Sequence, residues 1–226
     1  MRLSISVLIP TLNEARSLPA TLAAARQALG DDVELIVADG GSTDATVALA
    51  NAAGAHVVSS PRGRGTQLDS ALRAARGEIC VLLHADTLLP PAARGHITRA
   101  LEHAVAGAFR LRFEAPQLSW LAHAINMRSL VLRGVTGDQA MFARRATLLE
   151  IGGVPRIELF EDVRLWRMLK RAGRVQLVAA KVTTSARLWL ELGTLRGVLL
   201  HLRLRLLHAL GVAPGRLAKM YPTAGS

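Results

Sequence analysis

The chain has 226 residues, half of them apolar, which suffices for a substantial core without metal or disulfide staples, and its single cysteine, Cys80, excludes a disulfide framework. Lysine and arginine number 28 against 17 acidic residues, and the resulting net charge of +11 favours anionic partners. Nucleic acid is set aside among these, because aromatics are only 4% of residues and no helix-turn-helix or zinc-finger spacing occurs. Leu3 to Ile9 contains Ser4 and Ser6 and stops at Pro10, unlike a signal peptide, and no apolar run reaches the about 18 residues of a membrane span. The expectation is a cytoplasmic protein, soluble or peripheral on the inner face of the membrane.

Ser4 to Ile9 reads as a first strand, Pro10 to Glu14 as a loop, and Ala15 to Leu29 as an alanine-rich helix with Leu18, Leu22 and Leu29 near one side. Val33 to Ala38 is a second strand, after which Asp39-Gly40-Gly41-Ser42-Thr43-Asp44 turns into a helix over Ala45 to Ala53, with Ser42 or Thr43 as its cap. A short strand at His56 to Ser59, the loop Pro61-Arg62-Gly63-Arg64-Gly65 and a helix from Thr66 to Arg76 complete a third unit. Ile79 to Leu83 is apolar enough for a strand covered on both faces. His84 and Asp86 stand two residues apart, so a strand continued that far projects both from one face, at the carboxyl edge where ligands lie in open α/β sheets. The other reading is a strand exit with a solvated aspartate and a packed histidine. Three βα units before residue 90 predict a doubly wound nucleotide-binding half. The Gly-x-Gly-x-x-Gly fingerprint is missing after Ile9 and no Gly-Lys-Ser/Thr P-loop occurs, which disfavours a dehydrogenase or P-loop enzyme.

Beyond Pro91 the pattern predicts a helix over Ala92 to Val105, a strand over Ala108 to Phe113, a helix over Gln117 to Leu132 and a short apolar segment at Ala140 to Ala143. Glu161-Asp162 opens a helix, Val163 to Ala172, that Gly173 closes, and Val175 to Val178 is the next strand. Leu195 to Leu210, read as one helix, carries two apolar stripes. One is Leu195, Val198, Leu199, Leu202, Leu206 and Ala209; the other is Leu200, Leu204 and Leu207, with His201, Arg205 and His208 dividing them on one side. One core cannot easily bury both, so the second stripe needs a partner subunit or a bilayer interface, or else packs against Leu217 and Met220.

In Ile9-Pro10-Thr11-Leu12-Asn13-Glu14, Asp39-Gly40-Gly41-Ser42-Thr43-Asp44, His84-Ala85-Asp86, Gly137-Asp138-Gln139 and Glu161-Asp162, ending near Gly211-Val212-Ala213-Pro214 and Tyr221, the chain resembles the family-2 glycosyltransferases of the GT-A fold, in their small single-domain bacterial branch. The resemblance implies a three-layer α/β, Rossmann-like, mostly parallel sheet with a helical C-terminal segment. It implies one domain over 1–226, divided into a nucleotide-binding half at 1–90, an acceptor-side half at 91–190 and an amphipathic segment at 191–226. It also implies inverting transfer of a sugar from a UDP- or GDP-sugar to an acceptor hydroxyl, assisted by Mg2+ or Mn2+.

By that resemblance Asp86 is the metal carboxylate, and His84 stands at the first position of the family's Asp-x-Asp, as a second ligand or as a hydrogen-bond partner of the donor. Asp39 matches the nucleobase or ribose contact, with Pro10, Thr11 and Glu14 beside it, and Ala85 and Arg64 join the donor side. A turn aspartate that only caps the next helix is the alternative for Asp39. Gly137, Asp138 and Gln139 match acceptor or donor-sugar contacts, Arg187 is a candidate for the pyrophosphate, and Glu161-Asp162 match the catalytic acidic pair with Asp162 as general base. Helix capping is the alternative for that pair. An apolar or lipid-linked acceptor follows if the C-terminal helix meets a membrane; that helix could equally pair with a second copy. Two rivals are kept: a sugar-phosphate nucleotidyltransferase, which calls for glycine and lysine after the first strand where Pro10 to Glu14 has neither, and an inactive membrane-surface binding module.

Overall fold

In the computed structural model, which describes residues 3–220, eight strands form one sheet flanked by helices on both faces. The first four are β1 (Ile5–Thr11), β2 (Glu34–Asp39), β3 (His56–Ser59) and β4 (Ile79–Leu82). They alternate with α1 (Leu18–Leu29), α2 (Thr46–Ala52) and α3 (Arg64–Ala74). There follow β5 (Thr87–Leu88), α4 (Ala93–Leu101), β6 (Ala106–Phe113), α5 (Ser119–Leu132), β7 (Met141–Arg144) and α6 (Arg145–Glu150). The chain continues with α7 (Glu161–Ala172), β8 (Val175–Thr184), α8 (Arg187–Leu192), α9 (Thr194–Ala209) and α10 (Pro214–Ala218). The strand order is β3-β2-β1-β4-β7-β6-β8-β5, parallel through β4; β7 runs antiparallel to β4 and β6, β6 and β8 are parallel, and β5 closes the edge antiparallel to β8.

Alternation along the strands explains the layers. Ile5, Val7 and Ile9 of β1 and Ile79 and Val81 of β4 pack with Leu18, Leu22 and Ile97 on one face. Leu8, Cys80 and Leu82 pack with Leu68, Leu72, Leu165 and Leu169 on the other. Burial pushes the Cys80 thiol up to about 12, so it behaves as a small apolar side chain.

The structure departs from the sequence reading at several boundaries. β4 ends at Leu82, so His84 and Asp86 lie in the following turn and not on one face of a strand. β8 continues past Val178 to Thr184 because its second half pairs with Arg110–Phe113 of β6 and with β5, partners that an apolar pattern cannot foresee. The short β5, α6 and α8 have too few residues for a periodic signal. Tyr221, which the resemblance brought in, lies outside the described residues.

The two stripes of α9 exchange roles. Leu204 of the second stripe is 1% exposed, whereas Leu199 and Leu206 of the first are 58% and 61% exposed. Gly197 allows this seating, since a Cβ there would lie 2.9 Å from Trp189 Cε3. His201 stacks on Trp189, so the polar seam that divided the stripes faces the protein.

Gly107 marks a comparably close approach between β6 and its neighbours. A Cβ there would fall 2.4 Å from Phe142 Cζ and 2.9 Å from the Gln176 carbonyl. Phe142 is fully buried and stands edge-on to Phe109, so it cannot retreat. Gly107→Ala is expected to cost about 1–3 kcal/mol by urea unfolding, the usual penalty of overpacking.

Candidate active site

The ends of β1 and β2 open into two loops that are laced together. Asn13 N–H donates to Ser42 Oγ (2.9 Å), Thr43 N–H to Asn13 Oδ1 (2.8 Å), Glu14 N–H to Thr46 Oγ1 (2.8 Å) and Ala15 N–H to Asp44 (3.1 Å). From α3, the Gln67 amide donates to both Thr11 O (2.7 Å) and Ala38 O (2.8 Å), tying the two strand ends.

Asp39 is taken up by its own turn. It accepts from the Gly41 and Ser42 amides (both 2.9 Å), from the Ser42 hydroxyl and from Thr11 Oγ1 (3.3 Å). Burial pushes its pKa up, but these donors outweigh it and hold the carboxyl below the ordinary range. Neither Asp39 nor Thr11 lines the cavity described next.

A cavity of about 290 Å³ lies at the carboxyl edge of β1 and β4. Of the residues singled out from sequence it brings together Pro10, Glu14, Arg64, His84, Ala85, Asp86, Asp138, Glu161, Asp162 and Arg187. Gln139 is not among them: it is fully buried, donates to Phe109 O (3.1 Å) and accepts from Thr136 N–H (3.1 Å) and the Ser129 hydroxyl (3.0 Å). It shapes the 136–140 turn and offers no group to a sugar. Gly137 contributes backbone to the same turn, donating its N–H to Asp162 Oδ2 at 2.7 Å.

His84 is held from one side by an acidic partner and packed on the other against backbone. Nδ1 lies 3.0 Å from Asp138 Oδ1, and Nε2 lies so close to Gly137 that a Cβ there would fall 2.4 Å away. The contact with Asp138 favours the hydrogen-bonding role of His84 over that of a second metal ligand. Burial and Arg64 pull its pKa down, but the Asp138 carboxylate, helped by Asp86, overcomes them and raises it.

Asp86 has no comparable partner. Burial and then Asp138 push its carboxyl up against the pull of His84 and Arg187. Glu14 beside it is likewise raised, by burial first and by Asp86 second, and its Oε2 is buried without a hydrogen-bond partner. Arg187 stands 3.7 Å from Glu14. Two carboxyls raised by burial and by an acidic neighbour, Asp86 for Glu14 and Asp138 for Asp86, form a place where a hard cation gains most. Among the described residues no three His, Cys, Asp or Glu side chains converge on one point, so a cation here needs oxygens from a ligand or water to complete its shell.

Across the cavity, Phe160 at φ 65° starts α7 and aims its first carboxylates inward. Glu161 is 3% exposed and pairs with Arg64 Nη1 at 3.4 Å, yet burial keeps its pKa raised. Asp162 is oriented by the Gly137 amide and by Val163 N–H (2.6 Å). Sequence reading missed Arg128, His201 and Arg205, which also line the cavity. Their signal was present as charged and polar side chains interrupting the apolar patterns of α5 and α9.

Comparison with known proteins adds a family. Residues 6–151 match the model described as Glycosyl transferase family 2. A PGL/p-HBAD biosynthesis glycosyltransferase of Mycobacterium bovis (strain BCG / Pasteur 1173P2) is 57% identical over 47 residues, which are 20% of this chain and only 18% of that protein. Glucosyl-3-phosphoglycerate synthase from Mycobacterium tuberculosis, solved with Mn2+, UDP and phosphoglyceric acid, superposes with a TM-score of 0.60 at 25% identity, covering 79% of this chain and 69% of that one. The mannosyltransferase PcManGT from Pyrobaculum calidifontis, solved with GDP-Man and Mn2+, shares the fold with a TM-score of 0.62 at 22% identity, covering 81% and 57%.

The placement of His84 can be tested without any ligand. Gly137→Ala forces the imidazole away and breaks its contact with Asp138. The His84 pKa is therefore expected to fall from its raised value, followed by NMR titration of the histidine ring protons, while Gly137→Ser behaves the same way.

Proposed function

Because the chain belongs to glycosyl transferase family 2, we propose that it moves a sugar from a nucleoside diphosphate donor to an acceptor hydroxyl with inversion at the anomeric carbon. The observation that carries this is the opposition, in one cavity, of two buried carboxyls with raised pKa at Asp86 and Glu14 and a backbone-oriented carboxylate at Asp162. Pro10, Glu14, Arg64 and Ala85 line the donor end. The acceptor oxygen attacks the anomeric carbon, its proton passes to Asp162, and the bond from that carbon to the diphosphate oxygen breaks with the electron pair leaving on the nucleoside diphosphate. The two amides on Asp162 hold its carboxylate in place for the proton. Arg187, and Arg64 through its pair with Glu161, keep positive charge near the leaving group.

The residues fit a Mg2+ or Mn2+ ion held by Asp86 with donor phosphates and water, and such an ion would neutralise the charge developing on the diphosphate. The similar synthase and mannosyltransferase were solved with Mn2+ and with UDP or GDP-Man, which supports this reading. His84 then acts through Asp138, as an anchor of the 136–140 turn that carries the Gly137 amide.

Calorimetric titration of UDP and GDP, with Mn2+ and after EDTA, tests the donor half. We expect cation-dependent binding of one nucleotide to the wild type, and its loss in Asp86→Asn. Asp162→Asn should keep that binding and lower turnover by about 10²–10⁴. Failure of both nucleotides to bind the wild type would overturn the reading.

A second reading concerns attachment. No described helix is long and apolar enough to cross a membrane. Leu195, Leu199, Leu202, Leu206 and Leu210 are nevertheless exposed along α9 and its end, interleaved with exposed Arg196 and Arg203. That pattern supports seating on an anionic bilayer, with leucines among the acyl chains and arginines at the headgroups, and hence an acceptor presented at that surface. Flotation with phosphatidylglycerol vesicles should carry the wild type and leave Leu199→Glu/Leu206→Glu in the pellet fraction. A concentration-dependent dimer that ignores vesicles would instead identify the row as a contact between copies.

A further inference from the structure

Taking the transferase reading as premise, we propose that Arg128 of α5 and Arg205 of α9 form a cradle for an anionic group on the acceptor, a phosphate or carboxylate carried close to the hydroxyl that Asp162 deprotonates. The charges lining the cavity sort into pairs, and the remainder is informative. Glu14 stands by Arg187 (3.7 Å), Glu161 by Arg64 (3.4 Å) and Asp138 by His84 (3.0 Å). With His201 bonded through Nδ1 to Gly197 O and stacked on Trp189, what is left is Asp86 at one end, and Arg128, Arg205 and Asp162 at the other. The Asp86 end has a carboxylate in excess and suits a cation. At the Asp162 end two guanidiniums share one carboxylate, whose oxygens already accept from the Gly137 and Val163 amides.

The two arginines are held at a cost that an anion would remove. Arg128 Nη2 is buried and has no hydrogen-bond partner among the described residues. Burial and then the charge of Arg205 lower the Arg128 pKa to about 10, and burial lowers Arg205 as well, although Asp162 pulls both the other way. Guanidinium groups arriving from two helices present paired N–H donors, the geometry that phosphate and carboxylate oxygens accept. Ile125 and Trp189 line the same cavity and keep part of its wall dry, where charge-assisted hydrogen bonds are strongest. On the transferase reading the donor diphosphate belongs with Asp86 and Arg187, which assigns the anion in this cradle to the acceptor.

The experiment titrates inorganic phosphate, glycerol 3-phosphate and glycerate, with glycerol as the neutral control, into the full chain by calorimetry. Each is run twice, once on protein saturated with UDP and Mg2+ and once on nucleotide-free protein in EDTA. We expect at least one anion to bind in both settings and glycerol in neither, with phosphate against glycerate showing which anion is preferred. Arg128→Gln and Arg205→Gln should each weaken that binding by about 10- to 100-fold, the loss of one charged hydrogen-bonding partner, and leave UDP affinity unchanged. Arg205→Lys, which keeps the charge, should recover part of the loss and excludes misfolding as its cause. Equal behaviour of glycerol and the anions, or anion binding that disappears in EDTA, would overturn the cradle. Arginine variants that weaken UDP as much as the anion would assign these side chains to the donor. Failure of the wild type to bind UDP or GDP would sink the transferase premise while the nucleotide-free titration still reads the cradle.

Discussion

A strand buried on both faces cannot carry charge along its length, because an unpaired ionised group in that environment costs far more than the marginal stability of a domain. β1 and β4 are such strands: Ile5, Val7, Leu8 and Ile9, and Ile79, Cys80 and Val81, are all within 1% of complete burial. Ser6, polar in mid-strand, is satisfied, donating to Glu34 and accepting from the Gly77 amide at 2.8 Å. Every group capable of chemistry is thereby displaced to where these strands end. Pro10 and Glu14 follow one, and His84 and Asp86 follow the other, so parallel pairing of β1 with β4 brings both sets to one edge.

That edge would be a loose collection of loops without crosslinks. Gln67 bridges the carbonyls at the ends of β1 and β2, and Asn13 and Asp44 lace the two loops by side-chain to backbone bonds. On the far side, Gly65 brings α3 so near the Pro155 carbonyl that a Cβ would fall 2.1 Å from it, which sets Arg64 beside Glu161. Asp69 reinforces the approach, accepting from Arg73, Arg156 and the Val154 amide. These contacts fix the width of the cavity between the strand ends and the first turn of α7. The acidic groups that face each other there are held apart by backbone and ion-pair geometry, and charge repulsion alone does not set their spacing.

The first half of the sheet, β1 to β4, was legible because its signals are local. Alternating apolar residues, short loops and the glycines near Asp39 place β1, β2, β3 and β4 within a residue or two of where they occur. The acidic pair at Glu161 and Asp162 was also found, and the structure aims it into the cavity. Three roles were left open or not legible. The side-chain bonds of Asp39 depend on the turn closing back onto its own carboxylate. Burial of Gln139 depends on Phe109 and Ser129, far from it in sequence or on another element. The state of His84 depends on Asp138, whose approach requires the unsubstituted backbone of Gly137. The last two are contacts between segments that no short window of residues contains, whereas the Asp39 bonds are local and match the turn-aspartate alternative.

The C-terminal helix shows most clearly how an amphipathic pattern can be read with the wrong side inward. Counting apolar residues favours the Leu195, Leu199, Leu202 and Leu206 face as the buried one, since it has more leucines. What decides the orientation is the surface that receives the helix, which here is the rim of a charged cavity and the ring of Trp189. That surface accepts His201, Leu204 and Arg205 and leaves the richer leucine face outside. Because an α-helix behaves as a rigid rod over a few turns, with residues three and four apart stacked along one side, the outward leucines and the inward Arg205 move together. Contact made on the outer face of α9 is therefore mechanically joined to the position of a guanidinium beside Asp162, and the outer leucine row and that end of the cavity belong to one element.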